Sequence, residues 1–521
     1  MTRRSLTAAI ASCTAVALLA GCGGSAAGTS TVQAGAALGA VNTAAPAVAA
    51  GPTVAGTAGH RTGNAAGGAG TSTATTAAAP SKRGTKTGAG NGASSGKTIG
   101  GKSSDVPSIG QAAAGPAAAV ERLVSSHPIF GGSAACGPAS LSEIPIGNVS
   151  TLSGVLGEAL SPAREALQIF VAAQNACGGL NGHRIKLYID DDQGDPATAT
   201  AKVQSMIETK KVLAFVGNTE VLTIDAVVPV IKKYGIPIIG GDIASNTWFT
   251  NPLLFPQGPP PASVAYGYLK GATEYFKKTN VGDLWCIEIP RACEENDRAF
   301  RELAPGFGIT VKRSIASSIT APSYVQQCLD LQSSGVEALA LLVDAASMVR
   351  VARSCEQVGY HPKILPTPLG IGNQKQFLTG NAWLGNSYVA LNYFPWFANE
   401  TPVEKYWQSA MKKYDPGADI GAASSAGWTA GALLVAASAL LSPTNPTTAE
   451  LLAGLYAFGG QKWTGLGGLS GPRTFLAGKA PRVPYCLFAA ISNATNTGWA
   501  SAVSTPQCTE KLAPSDPQNG Q

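Results

Sequence analysis

Charge is scarce in this sequence. Asp, Glu, Lys and Arg make up 13% of its 521 residues, about half the usual share. The formal net charge is +6, and most of the early lysines and arginines fall in one low-complexity stretch, so no basic face for nucleic acid is inferred. No Cys-x-x-Cys or His-Glu-x-x-His occurs. The four histidines (His60, His127, His183, His361) have no ligand spacing to the cysteines, which argues against zinc. His183 and His361 sit in turn-like stretches and are read as solvated. Asp190–Asp192 lacks the spaced ligands of a calcium loop and reads as helix capping. Apolar runs long enough to span a bilayer are also absent: Ala426–Leu441 is short, broken by serine, and reads as a buried helix. The one Gly-x-Ser-x-Gly, Gly92–Gly96, lies in low-complexity sequence without a strand-to-helix turn. Gly465–Gly471 is not followed by Lys-Ser/Thr, and Gly96-Lys97-Thr98 has Asn91 where a phosphate loop begins with glycine. No enzyme, metal or cofactor is expected.

What is present begins with an export signal. Arg3 and Arg4 precede a short apolar run, Ala8–Ala20, too short to span a membrane. It ends in Leu19-Ala20-Gly21-Cys22, which resembles a bacterial lipobox and so implies cleavage after residue 21 and acylation of Cys22. Several acyl chains hold a protein firmly at a membrane surface. From Gly23 to about Ala119 the sequence is mostly Gly, Ala, Ser and Thr with no apolar periodicity. The whole stretch 22–127 is read as a lipidated cysteine and a disordered tether. As a flexible coil it would span on the order of 50–60 Å.

Once Cys13 leaves with the signal and Cys22 is lipidated, eight cysteines remain, an even number that fits export and disulfides. Eight cysteines allow 105 pairings. Local pairing is expected: Cys136–Cys177, Cys286–Cys293, Cys328–Cys355 and Cys486–Cys508. The third pair has the best argument, because Cys328 and Cys355 fall on successive helices flanking the strand Ala338–Val343.

The remainder alternates strands and helices. Ser161–Ala176 has apolar residues at helical spacing (Leu167, Phe170, Val171). Strands are expected at Arg184–Ile189, Val212–Val216 and Ile236–Ile239, with helices at Ala197–Thr209 and Ile224–Tyr234. A second series runs from strand Asp283–Ile289 through Val311–Ile315 and Ala338–Val343 to Lys363–Pro366. Such a rhythm with short connections implies parallel sheets wrapped by helices. Two series imply two lobes.

Asn175-Ala-Cys-Gly-Gly-Leu-Asn-Gly-His-Arg-Ile-Lys-Leu187, then Asp190–Asp192 with Asp195-Pro196, Gly217, Gly235-Ile-Pro237 and Pro368–Asn373 resemble the signature segments of type I periplasmic binding proteins. The nearest group is the branched-chain amino-acid binders of ABC importers. The resemblance covers essentially Ile144 to Val503. It implies an α/β fold of two Rossmann-like parallel-sheet lobes joined by a three-crossing hinge, with crossings near Pro261, Tyr393–Pro395 and Thr474–Pro484. We place the first lobe at 128–261 plus 395–475, the second at 262–394 plus 476–510, and a flexible tail at 511–521.

In parallel α/β sheets, ligands sit beyond the carboxyl ends of the strands. The candidate ligand contacts are therefore Ser153, Gly154, Asn218, Thr219, Glu220, Asp242, Ala244 and Ser245 in the first lobe. In the second they are Arg291, Asp344 and Leu369. Family members hold a ligand carboxylate with hydroxyls and amides in the loops of the first lobe; Glu220 and Asp242 would repel one. They also neutralise an ammonium with an acidic side chain where this chain has Leu369. An α-amino acid held in the family manner is thus a poor fit, and Arg291, Asp242 and Asp344 suit a ligand of mixed polarity, with Trp248 as an apolar wall. The resemblance implies a monomeric, membrane-anchored transport receptor that delivers a small molecule to an ABC permease. A ligand sensor of the same fold, acting on a membrane signalling partner, is the alternative.

Overall fold

The computed structural model describes residues 115–154, 156–457 and 465–520. Cys22 and the greater part of the tether lie outside the described residues.

The first lobe is a five-stranded sheet of β1 (Leu141–Ser150), β2 (His183–Asp191), β3 (Phe215–Asn218), β4 (Ile238–Gly241) and β5 (Leu254–Phe255). All pairs are parallel, in the order β2-β1-β3-β4-β5. Helices Gly157–Asn175 and Ala422–Ala437 pack against each other and cover one face. The second of these is the apolar Ala-rich stretch, and nearly all of it is buried. It lies so close to β4 that a Cβ on Gly240 would meet the Cβ of Ala430 at 2.4 Å. Gly240 also has φ +68°, so only glycine suits both the backbone and the contact.

The second lobe holds β6 (Asn280–Cys286), β7 (Thr310–Ser317), β8 (Ala338–Leu342) and β9 (Lys363–Pro366), parallel in the order β7-β6-β8-β9. A second, antiparallel sheet joins it, made of β10 (Tyr388–Leu391), β11 (Tyr485–Ser492) and β12 (Trp499–Thr509). The sequence reading did not contain this sheet. It also set the starts of β3, β4 and β6 a few residues off.

Disulfides link Cys136–Cys177, Cys286–Cys293, Cys328–Cys355 and Cys486–Cys508. Cys328 and Cys355 lie on helices Val325–Ser333 and Ala345–Gln357, and Cys486 faces Cys508 across β11 and β12.

Three expectations are corrected. The end of the supposed tether forms helix Pro116–Ser126, because Val120, Leu123 and Val124 share one face and pack on the core. The supposed flexible tail is docked: Ala513 and Gln518 are buried, Asp516 Oδ2 accepts from Tyr485 Oη at 2.7 Å, and Gln518 Oε1 accepts from the Val483 amide at 2.6 Å. His183 is fully buried, its ring bonded to the Ser442 and Ser142 carbonyls, because it opens β2 rather than lying in the turn before it. His361 is exposed.

The chain crosses between lobes three times: after β5, after β10 and before β11. A buried polar cluster ties the crossings together. Gln257 Oε1 accepts from the Gly241 amide at 2.9 Å and its Nε2 donates to Tyr393 Oη at 3.2 Å. The Ser470 hydroxyl donates to the Gln257 carbonyl, and Arg473 donates to the Gly471 carbonyl at 2.7 Å. Burial lowers the Arg473 guanidinium to about 9.

Candidate functional site

The carboxyl ends of β3, β4, β8 and β9 converge on one cavity between the lobes. Its volume is about 120 Å³ measured as space open to the centre of a water molecule, where a single water needs roughly 10–15 Å³. The first lobe supplies Leu160 and Ala163 from one helix, Ala422, Ala423 and Ala426 from another, and Thr219, Val221, Asp242, Ile243 and Ala244 from loops. The second lobe supplies Val264, Ala292, Cys293, Asn296, Leu342, Thr367, Pro368, Leu369 and Gly372. Pro261, Asn392 and Tyr393 come from the crossings. The wall is mostly hydrocarbon with a few polar groups, the usual composition of a small-molecule site.

Local sequence explains how the polar loops are held. Asp191 and Asp192 brace the loops after β1 and β2: Asp191 accepts from the Leu152 and Gln193 amides, and Asp192 accepts from Thr151, Gly194 and Thr223. Asp195 caps the next helix through the Thr198 amide at 2.7 Å. Asp242 is fixed by its own neighbours. Its Oδ1 accepts from the Ala244 amide at 3.2 Å and from the Trp248 indole at 2.9 Å.

The electrostatics follow from burial. Desolvation pushes the Asp242 carboxyl up to about 7, against the hydrogen bonds from Ala244 and Trp248 that favour its charged form. Glu220 is completely buried, and desolvation with the nearby charges of Asp192 and Asp242 raises it well above the usual carboxylate range. Neither of its oxygens makes a hydrogen bond of normal geometry. The same is true of Thr219 Oγ1, Asp242 Oδ2 and Asn392 Oδ1, all on lining residues.

Of the candidate contacts, Thr219, Asp242, Ala244 and Leu369 line the cavity. Asn218, Glu220 and Ser245 are buried but do not line it. Ser153 and Gly154 are exposed. Arg291 lies at the surface, 63% exposed, and pairs with Asp225 of the other lobe at 2.6 Å. Asp344 is a helix cap, accepting from the Ser347 amide at 3.1 Å. Trp248 is fully buried behind Asp242 and is not part of the wall. The mixed-polarity pairing of Arg291 with Asp242 and Asp344 is therefore corrected: each outlying residue has a local partner that holds it elsewhere. Among the described residues, no group of three or more His, Cys, Asp or Glu converges as metal ligands do.

A family model described as periplasmic binding protein matches residues 143–491. The chain belongs to that family. Solved structures share the fold at low identity. The fatty acid ABC transporter substrate-binding protein from Thermomonospora curvata is 17% identical, with a TM-score of 0.60 over 73% of this chain and 97% of that one. The branched-chain amino acid transporter substrate-binding protein LivJ from Streptococcus pneumoniae, in complex with isoleucine, is 15% identical, with a TM-score of 0.57 over 70% of this chain and 100% of that one. A solute-binding protein of an ABC transporter from R. palustris, in complex with benzoate, is 14% identical, with a TM-score of 0.57 over 72% and 99%. No curated protein matches the sequence.

The cavity lies where the two lobes face each other. Among the wall residues that sequence reasoning missed are Leu160, Val264, Asn296, Thr367, Asn392 and Tyr393. Asn296 and Val264 sit on helix faces rather than strand-end loops, and Asn296 donates from Nδ2 to the Pro261 carbonyl at 3.0 Å. Asn392 and Tyr393 belong to a crossing that the sequence did locate, and the crossing was the available signal for them.

Proposed function

We propose that this protein is an extracytoplasmic solute-binding lipoprotein that captures a small molecule between its lobes and delivers it to an ABC permease. The observation that carries this reading is the cavity, walled by both lobes and floored by the crossings. A molecule touching both walls at once stabilises the closed arrangement over the open one, and that difference is the signal a permease reads. Thr219, Asp242, Ala244 and Leu369 are the contacts we assign from the original candidates. Family membership supports a role outside the cytoplasm. The Leu19–Cys22 segment and the long small-residue stretch behind it support a membrane anchor with a tether.

Mass spectrometry of the chain purified from membranes tests both halves of the proposal. The N-terminal peptide should begin at an acylated Cys22, and denaturation should release a stoichiometric small molecule. An N-terminus without acyl groups removes the anchor. Loss of the released molecule on Thr219→Trp, which fills the cavity, is the expected control; retention after that change places the binding elsewhere.

A further inference from the structure

Among the described residues lining the cavity there is no arginine, lysine or histidine, and there is one carboxylate, Asp242. Two more buried carboxyl groups, Glu220 and Asp192, stand close enough to act on it and on each other. Three lining residues carry a buried oxygen that makes no hydrogen bond of normal geometry, Thr219 Oγ1, Asp242 Oδ2 and Asn392 Oδ1, and the Glu220 backbone amide is the further donor near the Asp242 carboxyl. The Asn392 oxygen and an ionised Asp242 only accept, and the Thr219 hydroxyl accepts as readily as it donates. Buried acceptors left without donors are costly, so such a set is complementary to a group that brings protons. The rest of the wall, including Leu160, Val221, Ile243, Val264, Leu342 and Leu369, offers only hydrocarbon.

We infer that the ligand of this cleft is a compact, mostly apolar molecule whose polar end donates hydrogen bonds, an ammonium or a hydroxyl, and is not a carboxylate. This inference rests on the reading of the cleft as the ligand site. The donor end sits against Asp242, Thr219 and Asn392, and the apolar body fills the space towards Leu342 and Leu369. A carboxylate at the same place faces Asp242 with no countercharge in the wall. The one arginine among the original candidates is held at the surface by Asp225 and supplies none. An ammonium provides the missing countercharge, and a hydroxyl satisfies one acceptor without it. The ordering amine, then alcohol, then carboxylate follows.

Titration calorimetry on the full chain at pH 8 tests that ordering, with copurified ligand dialysed away. The probes are benzylamine, benzyl alcohol and benzoate, with the corresponding isobutyl and cyclohexylmethyl sets. Within each set that binds, the amine should bind at least tenfold tighter than the carboxylate, with the alcohol between them. Asp242→Asn should erase the preference for amine over alcohol. A carboxylate that binds as tightly as its amine overturns the donor-end inference and leaves the clamp standing. A preference that survives Asp242→Asn does the same. If the variant does not fold, the wild-type order decides alone. Failure of all nine probes to bind, with no small molecule released on denaturation, overturns the cleft reading and this inference together.

Discussion

Asp242 is the one carboxyl group among the described residues of the cavity wall. Burial raises its carboxyl to about 7 from an ordinary 3.8. Between those values the folded protein holds a proton that the unfolded chain releases. The contribution to stability is therefore complete below about pH 4, declines across the interval and is gone above pH 7. Glu220 shifts in the same direction. The groups that act on Asp242 are the charges of Asp192 and Glu220 and the Tyr393 phenol, with the Ala244 amide, the Trp248 indole and the Glu220 backbone amide donating to it. Thermal unfolding followed from pH 5 to pH 8 should show the wild type losing stability relative to Asp242→Asn, and relative to Glu220→Gln. Equal pH slopes in all three proteins would contradict the assignment. Binding of an amine runs the other way, strengthening as Asp242 ionises. Sequence alone pointed to Thr219, Asp242, Ala244 and Leu369 because strand-end loops are positions where α/β folds expose backbone and side chains. It misplaced Arg291 and Asp344 because a strand-end residue is free to turn towards a nearer partner, here Asp225 and the Ser347 amide. Asn392 is far from every strand-end loop of the first lobe in sequence, and no local pattern brings it to them.

At the level of elements, the βα units were legible because each pairs a short apolar strand with an amphipathic helix. The antiparallel sheet was not. β11 is a continuous apolar run, which periodicity cannot separate from a buried helix, and β12 is largely polar and half exposed. Register in that pair is pinned by Cys486 facing Cys508. The bridge Cys328–Cys355 pins two helices instead and closes a separation of 27 residues. Chain-entropy reasoning gives such a loop about 3–4 kcal/mol. Replacing both cysteines with serine should lower unfolding free energy by that order in a denaturant titration, with the midpoint moving and the binding affinity little changed. A loss of affinity comparable to the loss of stability would mean the bridge shapes the cleft directly.

Across the whole molecule the lobes touch in two physically different ways. Near the mouth, the Asn246 amide donates to Glu295 at 3.1 Å and Arg291 pairs with Asp225; such partly exposed pairs contribute roughly 0–1 kcal/mol each. The segment after β9 is bound more deeply. The Gln374 amide donates to the Ile420 carbonyl at 2.9 Å, the Ala423 amide donates to Gly372 at 3.3 Å, and Ile371 and Phe377 are fully buried beside them. The Gln374 side chain accepts from both Trp396 and Trp499 at 3.0 Å. Hydrogen exchange on ligand-depleted protein should therefore show fast exchange at Asn246 and continued protection at Gln374 and Ala423. Protection lost at all three would mean that the lobes part completely.

That unequal stitching has a consequence for the order in which a visitor is inspected. Leu369 lies a few residues before Gln374, inside the stitched segment, and shares the cavity wall with Thr219 and Asp242. A molecule of the kind proposed above would then meet the polar groups of Thr219 and Asp242 and the apolar side chain of Leu369 on one continuous wall. Helix Pro290–Leu303, carrying Ala292 and Asn296, would complete the opposite wall as the proposed clamp closes.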